Sequence, residues 1–321
     1  MVLSILYIIG GAILVLVGAD KLTDGAVAVA ERMRVPQLVI GLTIVAIGTS
    51  MPEFCVSLVS ALKDTPDLSV GNVVGSNIFN SLLIVGVAAM VSPIMIQPMT
   101  VRKDIPFALV ASALMMIMCF DGLLSRIDSA ILFILFVIFM VLTLRGALAA
   151  KASGEAVVTV ESVATEEKAA TMAVGKAIAF IVLGLAGLVI GSNFFVDGAT
   201  ELAKLFGISE AVIGLTIVAM GTSLPELATT VVSAYKGNSG IAIGNVLGSN
   251  VFNVLMVLGL TGIISPMQLT GVTMNDLSLM VLSMILLWLF SFTKLVIQRW
   301  EGCVLVVVFL AYMTYLLMGL V

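Results

Sequence analysis

Residues 41–53 read Gly-Leu-Thr-Ile-Val-Ala-Ile-Gly-Thr-Ser-Met-Pro-Glu, and residues 214–226 repeat this stretch as Gly-Leu-Thr-Ile-Val-Ala-Met-Gly-Thr-Ser-Leu-Pro-Glu. Further along, residues 71–80 read Gly-Asn-Val-Val-Gly-Ser-Asn-Ile-Phe-Asn and return at 244–253 as Gly-Asn-Val-Leu-Gly-Ser-Asn-Val-Phe-Asn. The offset is 173 residues in both cases, and 23 of the 40 positions in 41–80 are identical in 214–253 without a gap. The chain is therefore built from two related halves.

The composition places both halves in a membrane. Of the 321 residues, 61% are hydrophobic and 11% are charged, whereas about 25% charged residues are usual in soluble domains. This excludes a soluble globule and a disordered chain, and a net charge of −4 without a basic patch excludes a nucleic-acid binder. Long unbroken apolar blocks such as 130–142 favour helices over the alternating strands of a membrane barrel. The absence of His and the scattered positions of three Cys argue against a zinc site or a disulfide framework.

Ten segments are long and apolar enough to cross a bilayer, since a spanning helix needs about 20 apolar residues. They lie near 3–20, 36–61, 69–93, 105–120, 127–145, 176–196, 209–235, 241–264, 275–293 and 302–320. Five spans in each half force the halves to face opposite ways across the membrane. The predicted fold class is an all-α integral membrane protein, with ten transmembrane helices in two inverted five-helix repeats. Inverted repeats with Gly- or Pro-broken helices are typical of secondary transporters that bind their substrate near the bilayer midplane.

The predicted division of the chain follows from this pattern. An N-terminal repeat occupies 1–145 with its motif region at 41–80, and a C-terminal repeat occupies 176–321 with its motif region at 214–253. Between them, residues 146–175 are rich in Ala, Ser, Thr, Glu and Lys and predict a flexible linker.

The positive charges predict the orientation of the spans. With the N-terminus outside, twelve Lys and Arg fall in cytoplasmic loops and three in external loops, as the positive-inside rule requires. We therefore expect both termini outside, the linker in the cytoplasm, and a multi-pass protein in the plasma (inner) membrane of a prokaryote.

Two carboxylates stand out as candidate functional groups. Of the 19 acidic residues, only Glu53 and Glu226 lie deep inside a predicted span, at equivalent positions of the repeat. A carboxylate at the membrane centre costs at least about 2.5–3.5 kcal/mol, and no Lys or Arg in either span compensates it. A bound cation would do so. The alternative is a pair of protonated carboxyl groups hydrogen-bonded within the helix bundle.

The neighbouring residues supply further oxygen atoms. Thr49 and Ser50 precede Glu53 at a spacing that predicts one shared helical face, and Pro52 leaves the carbonyl of Gly48 without its helical partner and bends the span. The second half repeats this arrangement, and the third and eighth spans each carry a Ser and an Asn at i and i+4. The predicted ligand set is Glu53, Glu226, Thr49, Ser50, Thr222, Ser223, Ser76, Asn80, Ser249 and Asn253. The alternative for the small residues and hydroxyls is close helix packing without coordination.

The chemistry of this set predicts exchange of hard cations. All of its ligand atoms are oxygens, which suits Ca²⁺ or Na⁺ rather than a soft transition metal. One Ca²⁺ neutralises the two carboxylates, and two or three Na⁺ neutralise or slightly exceed them. Competing occupancy of one site by the two ions gives antiport without covalent chemistry.

At these motifs the sequence resembles the sodium/calcium exchanger branch of the cation/Ca²⁺ antiporter superfamily, over the whole chain. The resemblance implies that Glu53 and Glu226 bind Ca²⁺ and Na⁺ with help from the hydroxyl and amide groups named above, and that Ala46 and Ala219 add backbone carbonyls. It also implies exchange of about three Na⁺ for one Ca²⁺, with the long first and sixth helices sliding across the rest. Asn253 replaces an Asp found in K⁺-dependent members, which predicts no K⁺ requirement. The short linker is typical of a bacterial or archaeal member.

Other functions remain as alternatives. Glu carboxyl groups can also carry protons, so Ca²⁺/H⁺ antiport at the same site is the second hypothesis. An intramembrane enzyme is disfavoured, since no His supports a nucleophile, and a channel does not explain the duplication as well as alternating access does. We expect no cofactor besides the transported ions, no nucleic-acid partner, a lipid bilayer as surroundings, and a monomer.

Overall fold

Apolar segments of this kind fold as helices because the bilayer offers their backbone no hydrogen-bond partner. The computed structural model describes residues 2–63, 66–153, 172–206, 219–269 and 271–318. In these ranges the helices are α1 (Val2–Met33), α2 (Gln37–Thr49), α3 (Met51–Leu62), α4 (Pro66–Ile78, continued by Phe79–Ile84 and Val85–Val91), α5 (Ile105–Met118, after a π-turn at Thr100–Asp104), α6 (Arg126–Ser153), α7 (Val174–Leu205), α8 (Ala219–Gly221), α9 (Leu224–Tyr235), α10 (Ser239–Val251, continued by Phe252–Val257 and Leu258–Ile264), α11 (Met274–Phe292) and α12 (Arg299–Met318).

The described residues contain seven helices that could each cross a membrane, or eight when α2 and α3, which meet at a bend of 47°, count as one span. These eight occupy eight of the ten predicted positions. At the predicted fourth span, α5 has only 14 residues, which is short for a crossing. At the predicted seventh span only α8 and α9 are described, and residues 207–218 lie outside the described part. The all-helical membrane fold is thus present, and the count of ten stays a prediction.

The first helix extends beyond its predicted span and is long, as the resemblance implies. The predicted span ends near residue 20, but α1 continues to Met33 through Asp20, Lys21 and Asp24. These charges remain helical because they have partners: Lys236 at the end of α9 forms ion pairs with both Asp20 and Asp24. Hydropathy locates the lipid-embedded part of a helix and not the whole of it.

The ends of the predicted linker are also helical. Helix α6 continues to Ser153 through an Ala-rich stretch of high helix propensity, and α7 begins at Val174. Residues 154–171, the remainder of the predicted linker apart from its last residues, lie outside the described residues.

Helices α1 and α7 are packed backbone to backbone. A Cβ atom added at Gly18 would lie 2.8 Å from the carbonyl oxygen of Gly184, and one added at Gly191 would lie 2.8 Å from the backbone nitrogen of Val15. Gly11 faces the region of Gly191 whereas Gly18 faces Gly184, so the two helices run antiparallel. Such close contact by small residues is how helices associate tightly in a membrane.

Four short strands among the described residues join the two halves of the chain. Strand β1 (Ile94–Met95) pairs with β4 (Val296–Ile297), and β2 (Leu123–Leu124) pairs with β3 (Met267–Gln268), both antiparallel. Applying the 173-residue offset to β1 gives β3, and applying it to β2 gives β4. Each pair therefore contains one strand from each half, and the offset exchanges the two pairs.

Candidate cation-binding site

The two glutamates lie just after a break in the helix. Ser50 separates α2 from α3 with φ −86° and ψ 8°, and Ser223 separates α8 from α9 with φ −92° and ψ 6°. A Pro stands in the first turn of both α3 and α9, where the missing N–H costs no helical hydrogen bond. Glu53 and Glu226 are in these first turns, where the helix dipole favours a carboxylate.

The bend expected next to Pro52 is present, with an angle of 47°, but it corrects another sequence-based expectation. Thr49, Ser50 and Glu53 do not share one continuous helical face, because the chain bends at Ser50. The hydroxyls instead contact the other half of the chain. Ser50 Oγ donates to Glu226 Oε1 at 2.8 Å, and Ser223 Oγ donates to Glu53 Oε1 at 2.9 Å. The repeat is thus reproduced as a reciprocal pair of bonds.

Other members of the predicted set lie around these two bonds. Ser76 Oγ is 3.2 Å from Ser223 Oγ, Thr222 lies beside the carboxylate of Glu53, and Thr49 and Ser249 lie beside that of Glu226. Both carboxylates are buried, with 1% of Glu53 and none of Glu226 exposed. The structure therefore brings the serines, threonines and glutamates of both halves into one cluster, which is buried except for the half-buried Thr222.

Several oxygens in and beside this cluster have no hydrogen-bond donor. They are Glu53 Oε2, Glu226 Oε2, Asn80 Oδ1, Asn253 Oδ1 and Ser249 Oγ, all buried. Leaving a buried polar atom unpaired costs about 1–3 kcal/mol, and more for a charged group. Five such oxygens from the predicted ligand set are an arrangement that a cation would compensate.

The charges nearby fit the same conclusion. No Lys or Arg occurs in residues 37–62 or 219–235, so neither segment that carries a glutamate supplies a counter-ion. Within the described ranges no group of three or more His, Cys, Asp or Glu side chains that could hold a metal ion is found, so any cation here would depend on neutral oxygens besides the two carboxylates. Two carboxylates with neutral oxygens suit a hard cation.

The backbone ligands remain predictions. The carbonyl of Ala46 accepts the N–H of Ser50 at 3.0 Å and the hydroxyl of Thr49 at 3.4 Å. Ala219 begins α8, and the twelve residues before it, 207–218, lie outside the described part of the chain.

Sequence reasoning missed four asparagines that hold the site together. Asn72 Nδ2 donates to the backbone oxygen of Glu53 at 3.1 Å, and Asn245 Nδ2 donates to that of Glu226 at 3.4 Å. Asn77 and Asn250 bond to side chains of the predicted set. A signal was available, because all four stand at equivalent, identical positions of the two repeats.

The comparisons with known proteins agree with one another over nearly the whole chain. The family described as "Sodium/calcium exchanger protein" matches residues 3–145 and again 176–318. The inner membrane protein YrbG of Escherichia coli is 39% identical, covering 88% of this chain and 86% of its own. The sodium/calcium exchanger MaX1 of Methanosarcina acetivorans is 31% identical, covering 98% of both chains. The solved structure of the sodium-calcium exchanger NCX_Mj superposes with a TM-score of 0.84 at 30% identity, covering 98% of this chain and 99% of its own.

Proposed function

Because the chain belongs to the sodium/calcium exchanger family, as a prokaryotic member, we propose that it exchanges Na⁺ for Ca²⁺ across the plasma membrane. The ions bind in turn at the cluster around Glu53 and Glu226 and reach the two sides of the membrane by alternating access. The family is one of transporters and not of enzymes.

The observation that carries this proposal is the set of five unpaired buried oxygens. Two of them belong to carboxylates, two to amides and one to a hydroxyl, which is a ligand set for Ca²⁺ and Na⁺. The set is drawn from both halves of the chain, as a site between two repeats requires. The proposed arrangement is ten spans in two inverted repeats, with both termini outside and the linker in the cytoplasm.

Charge supports the choice of ions. One Ca²⁺ balances the two carboxylates, whereas three Na⁺ exceed them by one, so a three-for-one exchange moves one net charge. Asn253 supplies a neutral oxygen, and we expect no further cation such as K⁺ to be needed. The names of the relatives favour Na⁺ over H⁺ as the coupling ion.

The test is uptake of radiolabelled Ca²⁺ into proteoliposomes loaded with Na⁺ and diluted into Na⁺-free buffer, with and without K⁺. We expect uptake that needs internal Na⁺, is unchanged by K⁺, and is lost in Glu53→Gln and in Glu226→Gln. Met220→Leu, a volume-conserving change of a non-polar neighbour, serves as a matched control and should retain uptake. Flux that follows a pH gradient and ignores Na⁺ would establish proton coupling instead, and uptake that survives both Gln variants would move the site elsewhere.

A further inference from the structure

Two asparagine pairs cross between α4 and α10 behind the predicted ligands. Asn80 Nδ2 donates to Asn250 Oδ1 at 3.1 Å, and Asn253 Nδ2 donates to Asn77 Oδ1 at 3.2 Å. The 173-residue offset converts one bond into the other. All four side chains are buried, with 1% of each exposed.

These bonds fix which end of each amide is available. An Asn side chain carries a donor NH₂ and an acceptor oxygen on opposite sides, and turning it over exchanges them. With the nitrogens of Asn80 and Asn253 held, their oxygens are directed away from Asn250 and Asn77, and both oxygens are buried without a donor. In the opposite orientation each amide would present N–H groups, which repel a cation.

Asn77 and Asn250 are in turn fixed by hydrogen bonds of their own. Asn250 Nδ2 donates to Ser81 Oγ at 2.8 Å and contacts Met284 Sδ at 3.4 Å. Asn77 Nδ2 donates to the backbone oxygen of Asn250 at 3.1 Å. With their nitrogens occupied in this way, Asn77 and Asn250 can offer only oxygen to the neighbouring amides.

The segments that carry these two amides lie against the helices that carry the glutamates. Ser76, four residues before Asn80, contacts Ser223, which donates to Glu53. Ser249, four residues before Asn253, lies beside Glu226. The π-helical segment with Asn80 packs against α9, which carries Glu226, and the π-helical segment with Asn253 packs against α3, which carries Glu53.

We propose that Asn77 and Asn250 are positioning residues that fix the amide orientation of Asn253 and Asn80, so that both amide oxygens are presented to the cation. Each half of the chain thereby orients an ion ligand of the other half. The inference rests on the proposed function. It predicts that the contribution of Asn80 to Ca²⁺ affinity depends on Asn250 and that of Asn253 depends on Asn77, which the ligand set alone does not predict.

The test is a pair of double-mutant cycles, read out as Ca²⁺ affinity by calorimetry on the purified full-length protein and as half-saturating Ca²⁺ in the uptake assay. We expect Asn250→Ala or Asn77→Ala to weaken Ca²⁺ binding by at least about tenfold, the usual effect of removing a group that orients a metal ligand. Asp in place of a ligand Asn has two equivalent oxygens and no N–H, so it needs no holding residue. Asn80→Asp should therefore raise affinity more in Asn250→Ala than in the wild type, and Asn253→Asp more in Asn77→Ala than in the wild type.

The crossed combinations are the matched controls. Asn253→Asp should change the affinity by the same factor in Asn250→Ala as in the wild type, as should Asn80→Asp in Asn77→Ala. Asn250→Asp loses the donor to Ser81 but keeps an oxygen for Asn80, so it should recover much of the affinity that Asn250→Ala loses. Equal rescue by both Asp substitutions, or none by either, would overturn the inference, because a general loss of structure has no such pairing. A wild type that binds Ca²⁺ but shows no Na⁺-driven uptake would overturn the proposed function and leave the cycles measurable.

Discussion

At the residue scale, the reciprocal serine–glutamate bonds are the feature that makes one site from two repeats. Ser50 and Ser223 each orient a carboxylate of the other half, at 2.8 Å and 2.9 Å. A hydrogen bond to a charged group contributes about 1.5–3 kcal/mol, and about 1.4 kcal/mol corresponds to a factor of ten in affinity. The two bonds are equivalent by the repeat, so their removal should have similar consequences.

We predict that Ser50→Ala and Ser223→Ala each reduce the apparent Ca²⁺ affinity in the uptake assay by about tenfold or more. Ser112→Ala is the matched control, since Ser112 is equally buried but donates its hydroxyl to the carbonyl of Ala108 in its own helix, α5. It should leave the affinity unchanged. A large effect of one serine substitution and none of the other would mean that the two carboxylates are not equivalent ligands.

The sequence was informative about these residues because each ligand type appears twice in the same order. What it could not provide is the pairing between halves. Spacing arguments assume a continuous helix and reach about four residues, whereas Ser50 and Glu226 are 176 residues apart and meet only because both helices break. The holding role of Asn77 and Asn250 was hidden for the same reason.

At the scale of elements, the two ends of the α1–α7 pair differ. Lys236, after α9, forms ion pairs with Asp20 and Asp24 of α1, and its Nζ lies 2.7 Å from Asp24 Oδ1. The repeat places Lys63 after α3 and Asp197 on α7 in the equivalent positions. In the part of the chain that the structure describes, these two residues form no ion pair and are exposed. Among the described residues, Lys236 thus joins α1 to the end of α9, whereas the equivalent contact between Lys63 and Asp197 is not formed.

Alternating access between two symmetric states predicts that the contact between Lys236 and Asp24 opens in the second state, and that the equivalent contact between Lys63 and Asp197 forms there. In a variant with its native cysteines replaced, a short bifunctional thiol reagent should crosslink Asp24→Cys with Lys236→Cys readily and block uptake. Lys63→Cys with Asp197→Cys should crosslink efficiently only when Na⁺ and Ca²⁺ are supplied on opposite sides. Ser4→Cys with Glu201→Cys, which joins α1 to α7 themselves through a 2.9 Å hydrogen bond, should crosslink in every condition and leave uptake intact. If Lys63→Cys and Asp197→Cys crosslink as efficiently without ions as with them, the predicted switch between the two end contacts is wrong.

Element lengths show where hydropathy succeeds and fails. It located all eight candidate spans, because a long apolar run has few alternatives to a membrane helix. It could not find the end of α1, since the charges there are accommodated by Lys236, a residue far along the chain. The fourth predicted span, 105–120, was already short, and α5 occupies Ile105–Met118 directly after the π-turn at Thr100–Asp104.

At the scale of the whole molecule, the strand pairs and the positive charges agree. In the proposed topology β1 and β4 lie in cytoplasmic loops and β2 and β3 in external loops, so each observed pair joins loops on the same side. Lys236 would then hold α1 at its cytoplasmic end.

The linker orientation can be checked by labelling Lys168→Cys, which should react with an impermeant thiol reagent only in inside-out vesicles. Labelling in right-side-out vesicles would reverse the topology.

The whole transport cycle should also respond to voltage. Exchange of three Na⁺ for one Ca²⁺ moves one net positive charge. A potential of 100 mV contributes about 2.3 kcal/mol to moving that charge, which corresponds to about fiftyfold in the Ca²⁺ gradient that can be sustained. In Na⁺-loaded proteoliposomes that charge leaves as Ca²⁺ enters, so a potential that is positive inside should accelerate uptake and one that is negative inside should slow it. The potential can be set with valinomycin and a K⁺ gradient. The same K⁺ gradient without valinomycin is the control, since Asn rather than Asp at position 253 predicts no direct effect of K⁺ on transport. Uptake that depends on Na⁺ but ignores the potential would mean that two Na⁺, not three, balance each Ca²⁺ at the two glutamates.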